Sequence, residues 1–235
     1  RKKENVLVSG DYSQIELRIL AHVSGEEMLI EAFRNNEDIH RKTASLIFST
    51  LPVLVSDEQR RMAKTVNFGI IYGQGAFGLS QQIGVSQKEA KTFIDNYFAT
   101  YPKIKRYMDD TIAYAREHGC VKTLFGRVRL LPDIHSGNRQ VQAFAERTAI
   151  NTPIQGAAAD LVKIAMVRLH KGITSGRVPG RMLLQVHDEL VLEAAEKDAE
   201  KALSALVDAM ENAHTFAVPL KVDAHIGKNW LEAHG

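Results

Sequence analysis

A single cysteine, Cys120, occurs in the sequence. It excludes an intrachain disulfide and a cysteine-rich zinc site, and reads as an inert, semi-buried thiol. No run approaches the roughly 18 uninterrupted apolar residues of a membrane span, and the opening RKKENVLVSGDYSQ turns polar too soon for a secretory leader. These absences point to a cytoplasmic protein. Internal repeats, low-complexity tracts and Pro/Gly-rich linkers are also missing, and net charge is small, at +2. What is present is a hydrophobic content of 45% with 25% charged residues, enough apolar material for a core, so disordered and fibrous classes are excluded. At 235 residues, one large domain or two intimately packed ones both fit.

The small net charge conceals an asymmetry. Residues 188–235 carry ten acidic and four basic side chains, a net −6, which leaves +8 on residues 1–187. A basic body with an acidic tail suits a polyanionic partner, although a solvated basic face accounts for it equally well.

Along the chain, Asn5–Ser9 reads as a strand running into Asp11, and Ser13 caps a helix to about Val23, stopped by Ser24-Gly25. Asp38 caps a helix to about Ser49. Ser56 with Gln59 forms a capping-box pattern for a helix reaching the glycines at 69 and 73. Helices follow at about 76–83, 86–99 and 102–118, then a hairpin over 120–131 turning near Phe125-Gly126. Residues 137–151 and 153–174 read as two helices separated by Pro153. Met182–Val186 and Leu190–Glu193 read as strands joined through His187-Asp188-Glu189, followed by a helix over 196–213 and a strand near 219–226. The pattern predicts an α+β fold with one small, mostly antiparallel sheet assembled from distant segments.

Two constellations carry chemistry. Asp11 closes the first strand and Asp188-Glu189 occupy a turn; if the strands are neighbours, three acids converge at a sheet edge. Adjacent carboxylates repel, and an all-oxygen donor set with few protein ligands favours Mg²⁺, so two such ions could serve phosphoryl transfer. The plainer alternative is a polar turn. The helix over 56–72 places Met62, Ala63, Val66 and Ile70 within an arc of about 100°, and Arg60, Arg61, Lys64, Phe68, Ile71 and Tyr72 within about 120° on another side. Cations one turn apart can grip a polyphosphate, and an aromatic ring a turn further on can stack on a base or sugar. An ordinary amphipathic helix explains the cations but not the aromatics beside them. Tyr72-Gly73-Gln74-Gly75 follows a helix and lacks a Lys-Ser/Thr end, which excludes a Walker loop and leaves a helix end with hinge freedom. Arg147, Asn151 and Gln155 recur at four-residue spacing and present donors and acceptors along one side.

The ordered set Asp11-Tyr12-Ser13-Gln14-Ile15-Glu16-Leu17-Arg18, then Arg60, Lys64, Asn67-Phe68-Gly69 and Tyr72-Gly73, then His187-Asp188-Glu189, resembles the DNA polymerase I family, the family A DNA polymerases. The similarity runs from about Asp11 to Trp230 and takes in Asp38-Ile39-His40 and Thr123-Leu124-Phe125-Gly126-Arg127. It implies a palm built from 1–30 and 131–235, carrying the small antiparallel sheet, with a mainly helical fingers insertion over 31–130. Asp11, Asp188 and the main-chain carbonyl of Tyr12 would hold two Mg²⁺ ions, with Glu189 nearby in the catalytic group. Gln14, Glu16, His40, Arg60, Lys64, Phe68 and Tyr72 would meet the incoming deoxynucleoside triphosphate: Lys64 as proton donor to the leaving group, Phe68 stacking, Glu16 as a steric gate against a 2′-hydroxyl, Tyr72 at the templating position. Arg147, Asn151, Gln155 and His187 would touch primer-template DNA.

The resemblance further implies a monomer that adds deoxynucleotides to a primer 3′-hydroxyl. The thumb, the upstream palm segment with its Thr-Gly-Arg motif and the nuclease domains have no counterpart, and Arg1 in place of Met suggests truncation. A metal-dependent phosphodiester hydrolase and a non-catalytic nucleic-acid-binding fragment are the competing readings.

Overall fold

A computed structural model describes residues 4–234. In chain order the elements are β1 (Asn5–Tyr12), α1 (Ile15–Ser24), α2 (Glu27–Arg34), α3 (Ile39–Ile47), α4 (Asp57–Ile71), α5 (Ala76–Ile83), α6 (Gln87–Thr100), α7 (Pro102–His118), β2 (Cys120–Lys122), β3 (Val128–Leu130), α8 (Arg139–Thr174), β4 (Arg181–Val186), β5 (Glu189–Ala195), α9 (Ala199–Glu211), β6 (Val222–Gly227) and α10 (Trp230–His234). They form two compact units: residues 4–18 with 157–234, and residues 19–156. The expected helical insertion, 31–130, lies within the second.

The first unit contains a four-stranded, wholly antiparallel sheet in the order β4-β5-β1-β6, as the α+β reading requires. Its central strands come from opposite ends of the chain. Val6 and Val8 of β1 and Leu190, Val191 and Leu192 of β5 are buried, and α9 packs Leu206 against Gly10. A Cβ at Gly10 would stand 3.1 Å from both Leu206 and Val222, so glycine permits this close helix-on-sheet approach.

The second unit is helical apart from the β2–β3 hairpin. Local capping decides its boundaries. Asp38 accepts from Arg41 N at 3.0 Å and starts α3, and Ser56 with Gln59 closes a complete capping box on α4. The end of α4 is a Schellman stop: Gln74 N donates to Gly69 O and Gly73 N to Ile70 O, with Gly73 at φ +65°. The glycines therefore terminate the helix by a defined pair of hydrogen bonds.

Several boundaries differ from expectation. Pro153 does not divide two helices; α8 is one 36-residue helix with the proline inside it. A proline inside a helix removes one backbone hydrogen bond and crowds the preceding turn, together costing about 3 kcal/mol, and Ala149, Ile150, Ile154 and Ala157 are all buried around it, so burial on both sides offsets that cost. Ile71, placed by helical periodicity with the cations, is buried, because α4 is nearly finished there and its last turn is enclosed. Glu189 belongs to β5, paired with Val186, so the turn is only His187-Asp188. Two elements have no forecast at all, α2 and α10. The N-cap position of α2, Glu26, makes no side-chain cap; its buried carboxylate instead accepts from Lys103 N at 3.0 Å, at the start of α7.

Candidate active site

In the first unit, sheet register assembles the acids. Asp11, near the end of β1, stands opposite Glu189 of β5 on one side and Asp223 of β6 on the other. The two-residue connection from β4 to β5 places Asp188 beside them, with His187 at φ 52° supplying the left-handed residue of so tight a turn. The Asp11 and Asp188 carboxyls lie close enough for the charge of one to act on the other. Burial first, then the charges of Asp188 and Glu189, push Asp11 up to about 6, against a smaller opposing pull from His234. No lysine or arginine among the described residues forms an ion pair with either aspartate.

Glu189 is treated differently by its surroundings. Its buried carboxylate accepts from Ser9 Oγ and from Trp230 Nε1 at 3.0 Å on Oε1, and His234 Nδ1 lies 3.4 Å from Oε2. Burial raises its pKa, but these three partners together outweigh burial and hold the group below the usual carboxylate range. Tyr12 turns its ring into the core, where its hydroxyl donates to Met210 O at 2.7 Å, so only its main chain is left for an outside ligand. Arg18 is buried and donates to Ser13 O at 2.8 Å and Pro219 O at 2.7 Å, fixing the chain just after Asp11. Gln14, at φ 54°, carries a buried Oε1 without a hydrogen-bond partner, and Glu16 is half-buried on the first turn of α1.

Two adjacent carboxylates without a lysine or arginine partner, one of them pushed toward protonation, suit a hard ion that takes oxygen ligands. Among the described residues no group of three or more His, Cys, Asp and Glu is arranged to hold a metal.

In the second unit, α4 turns Arg60, Lys64, Phe68 and Tyr72 outward, half-buried to exposed. Phe68 lies between two rings: Tyr72 at 6.4 Å, nearly parallel, and His40 at 5.9 Å. His40 is fixed by a buried relay in which Thr43 Oγ1 donates to Asn67 Oδ1 and Asn67 Nδ2 to His40 Nδ1 at 2.9 Å. An accepting Nδ1 assigns the neutral proton to Nε2. Burial, reinforced by Arg60 and Lys64 and opposed by Asp38, pulls His40 down to about 4. Arg60 is engaged by Asp38 at 2.6 Å, the same carboxylate that caps α3.

Lys64, Phe68, Gly69, Tyr72, Gln74 and Arg147 line one cavity of about 420 Å³. A Cβ on Gly73 would meet Arg147 Cγ at 3.0 Å, so the helix stop also makes room for this arginine.

A sequence profile described as DNA polymerase family A matches residues 1–232. The chain belongs to DNA polymerase family A. It is 50% identical over 232 residues to DNA polymerase I of Streptococcus pneumoniae strain R6, covering 98% of this chain and 26% of that protein. To DNA polymerase I of Pseudomonas aeruginosa PAO1 it is 51% identical over 228 residues, 97% of this chain and 25% of that protein. A solved structure, the POL domain of Pol1 from M. smegmatis in complex with DNA primer-template and dNTP, superimposes with a TM-score of 0.95 at 41% identity, over 100% of this chain and 41% of that one. The family A chain thus spans about a quarter of the length of these curated relatives. No helix among its described residues is long and apolar enough to cross a membrane.

Within this family A chain, the sequence-derived residues fall into two sets. Asp11, Asp188 and Glu189 gather at one end of the sheet, while Lys64, Phe68, Tyr72 and Arg147 share a cavity and His40 sets its ring at a tilt against Phe68. Asn151 is half-buried, its Oδ1 without a partner; Gln155 and His187 are exposed. Sequence reasoning missed Ser9, Trp230 and His234 around Glu189, and Thr43 behind His40. Ser9 had a signal: two residues before Asp11 on one strand, it shares that residue's face.

Proposed function

We propose that the chain is the nucleotidyl-transfer segment of a template-directed DNA polymerase, which joins deoxynucleotides to a primer 3′-hydroxyl and releases pyrophosphate. The observation that carries this reading is the Asp11–Asp188 pair, brought together by sheet register with no lysine or arginine ion-paired to it among the described residues. Two Mg²⁺ ions held by Asp11, Asp188 and the carbonyl of Tyr12 would, when bound, lower the pKa of the primer hydroxyl and neutralise the departing pyrophosphate.

The chain's own residues do the remainder. Lys64 and Arg60 meet the triphosphate with positive charge, and Lys64 delivers a proton to the leaving group. His40, neutral and donating through Nε2, adds a hydrogen bond without adding charge. Phe68 stacks on the nucleotide, backed by Tyr72, which holds the templating position before closure. Glu16 excludes a 2′-hydroxyl, and Gln14 offers its unpartnered amide oxygen to the nucleotide. Arg147, Asn151, Gln155 and His187 hold primer-template DNA. The parts of the relatives that this chain does not span would supply the thumb and the rest of the palm.

Primer extension with all four deoxynucleotides and Mg²⁺, beside Asp188→Ala, tests this. Extension lost in the variant supports it. Degradation of the primer would assign a phosphodiester hydrolase instead, and retention of DNA without turnover a binding fragment.

A further inference from the structure

The last described element, α10, has only five residues, too few for a helix to persist on its own. It is nevertheless held in detail. Asn229 Oδ1 accepts from Glu232 N at 3.0 Å, and Glu232 Oε2 accepts from Lys228 N at 2.8 Å, a capping arrangement at its start. Gly227 permits the fold-back onto β6, since a Cβ there would stand 2.4 Å from Ala233 N. The helix presents Trp230 and His234, four residues apart and so on one face, to a single carboxylate. Trp230 Nε1 reaches Glu189 Oε1 at 3.0 Å, and His234 Nδ1 faces Oε2 at 3.4 Å. Ser9, on the strand opposite, adds a third contact to Oε1.

We propose that Trp230 and His234 are positioning residues that act through Glu189, holding its carboxylate back so that Asp11 and Asp188 alone face the cations. This rests on the metal-pair reading above. Glu189 stands directly across the sheet from Asp11, where a free carboxylate could turn toward the pair. The contacts from Ser9, Trp230 and His234 occupy both of its oxygens. Two ligating aspartates leave the cation positions open for substrate oxygens; a third carboxylate would bind the metal more tightly and close one of those positions.

The test is Mn²⁺ binding to the 235-residue chain, read from the paramagnetic resonance signal of the free ion. Trp230→Phe removes a donor while keeping an aromatic ring, and His234→Leu removes the other at an exposed site. Each variant is expected to bind Mn²⁺ about threefold or more tightly, as ligand charge count sets affinity. General damage to the fold would weaken binding instead. His234→Asn, which keeps a donor, should stay near wild type. In a Glu189→Gln background, Trp230→Phe should have no further effect. Unchanged or weakened binding in both Trp230→Phe and His234→Leu, with wild-type binding abolished by Asp11→Asn, would overturn this proposal alone. Wild-type binding that Asp11→Asn leaves intact would overturn the metal-pair reading and the proposal with it.

Discussion

Asp11 and Asp188 come from opposite ends of the chain and meet only because β1 pairs with β5, whereas Arg60, Lys64, Phe68 and Tyr72 follow one another on a single helix. The sheet cluster is half-buried to buried, and the charges of Asp188 and Glu189 bear on the state of Asp11. The helix face is open, and its members contribute side by side. Removing one carboxylate should therefore abolish a function, while removing one helix side chain should reduce it.

The comparison can be broken at several points. Asp11→Ala should lower primer extension by roughly 10³-fold, since a bound metal contributes several kcal/mol of charge stabilisation; steady-state rates check this, and a loss below tenfold would place Asp11 with the graded group. Lys64→Ala should cost about 10²-fold in kcat/KM for the deoxynucleotide, the scale of one preorganised donor, with Lys64→Arg recovering part of it. Phe68→Tyr should relax discrimination against dideoxynucleotides by about tenfold, because a phenol can replace one missing hydrogen bond where a phenyl ring cannot. Competition between dideoxy and deoxy substrates measures the ratio, and equal ratios in both proteins would remove that role.

Two further predictions concern the scaffold of the open face. Gly73→Ala forces a Cβ onto a left-handed residue, at a cost of about 1–2 kcal/mol, and should lower the thermal midpoint seen by circular dichroism. His40 gives the smallest effect at neutral pH. Its folded imidazole stays neutral down to about 4, whereas the unfolded one takes a proton near 6.5. Stability should thus fall as pH drops through that interval. The imidazole NMR shifts should titrate near 4, and His40→Gln should flatten the acid slope.

Much of the fold could be read from local chemistry. Asp38, Ser56 with Gln59, Ser86 with Glu89, and Pro102 mark helix starts that the structure reproduces, and the alternating runs on either side of His187-Asp188 form the expected hairpin. Such signals span only a few residues. The misreadings arise where distant packing overrides them: burial carries α8 through Pro153, and the side chain of Glu26 is taken by α7 instead of capping α2. The cation-aromatic row of α4 was legible because helical periodicity is local. The partners of Glu189 were not, since Ser9 lies 180 and Trp230 41 residues away in sequence, the first brought in by strand pairing and the second by the fold-back of α10.

Trp230 is the single tryptophan in the chain, and its indole N–H rests on Glu189. All tryptophan fluorescence of this protein therefore originates one hydrogen bond away from an acid that stands across the sheet from Asp11. The molecule contains its own optical probe, at the place where its chemistry is proposed to occur, and unfolding of α10 can be followed in it without any label.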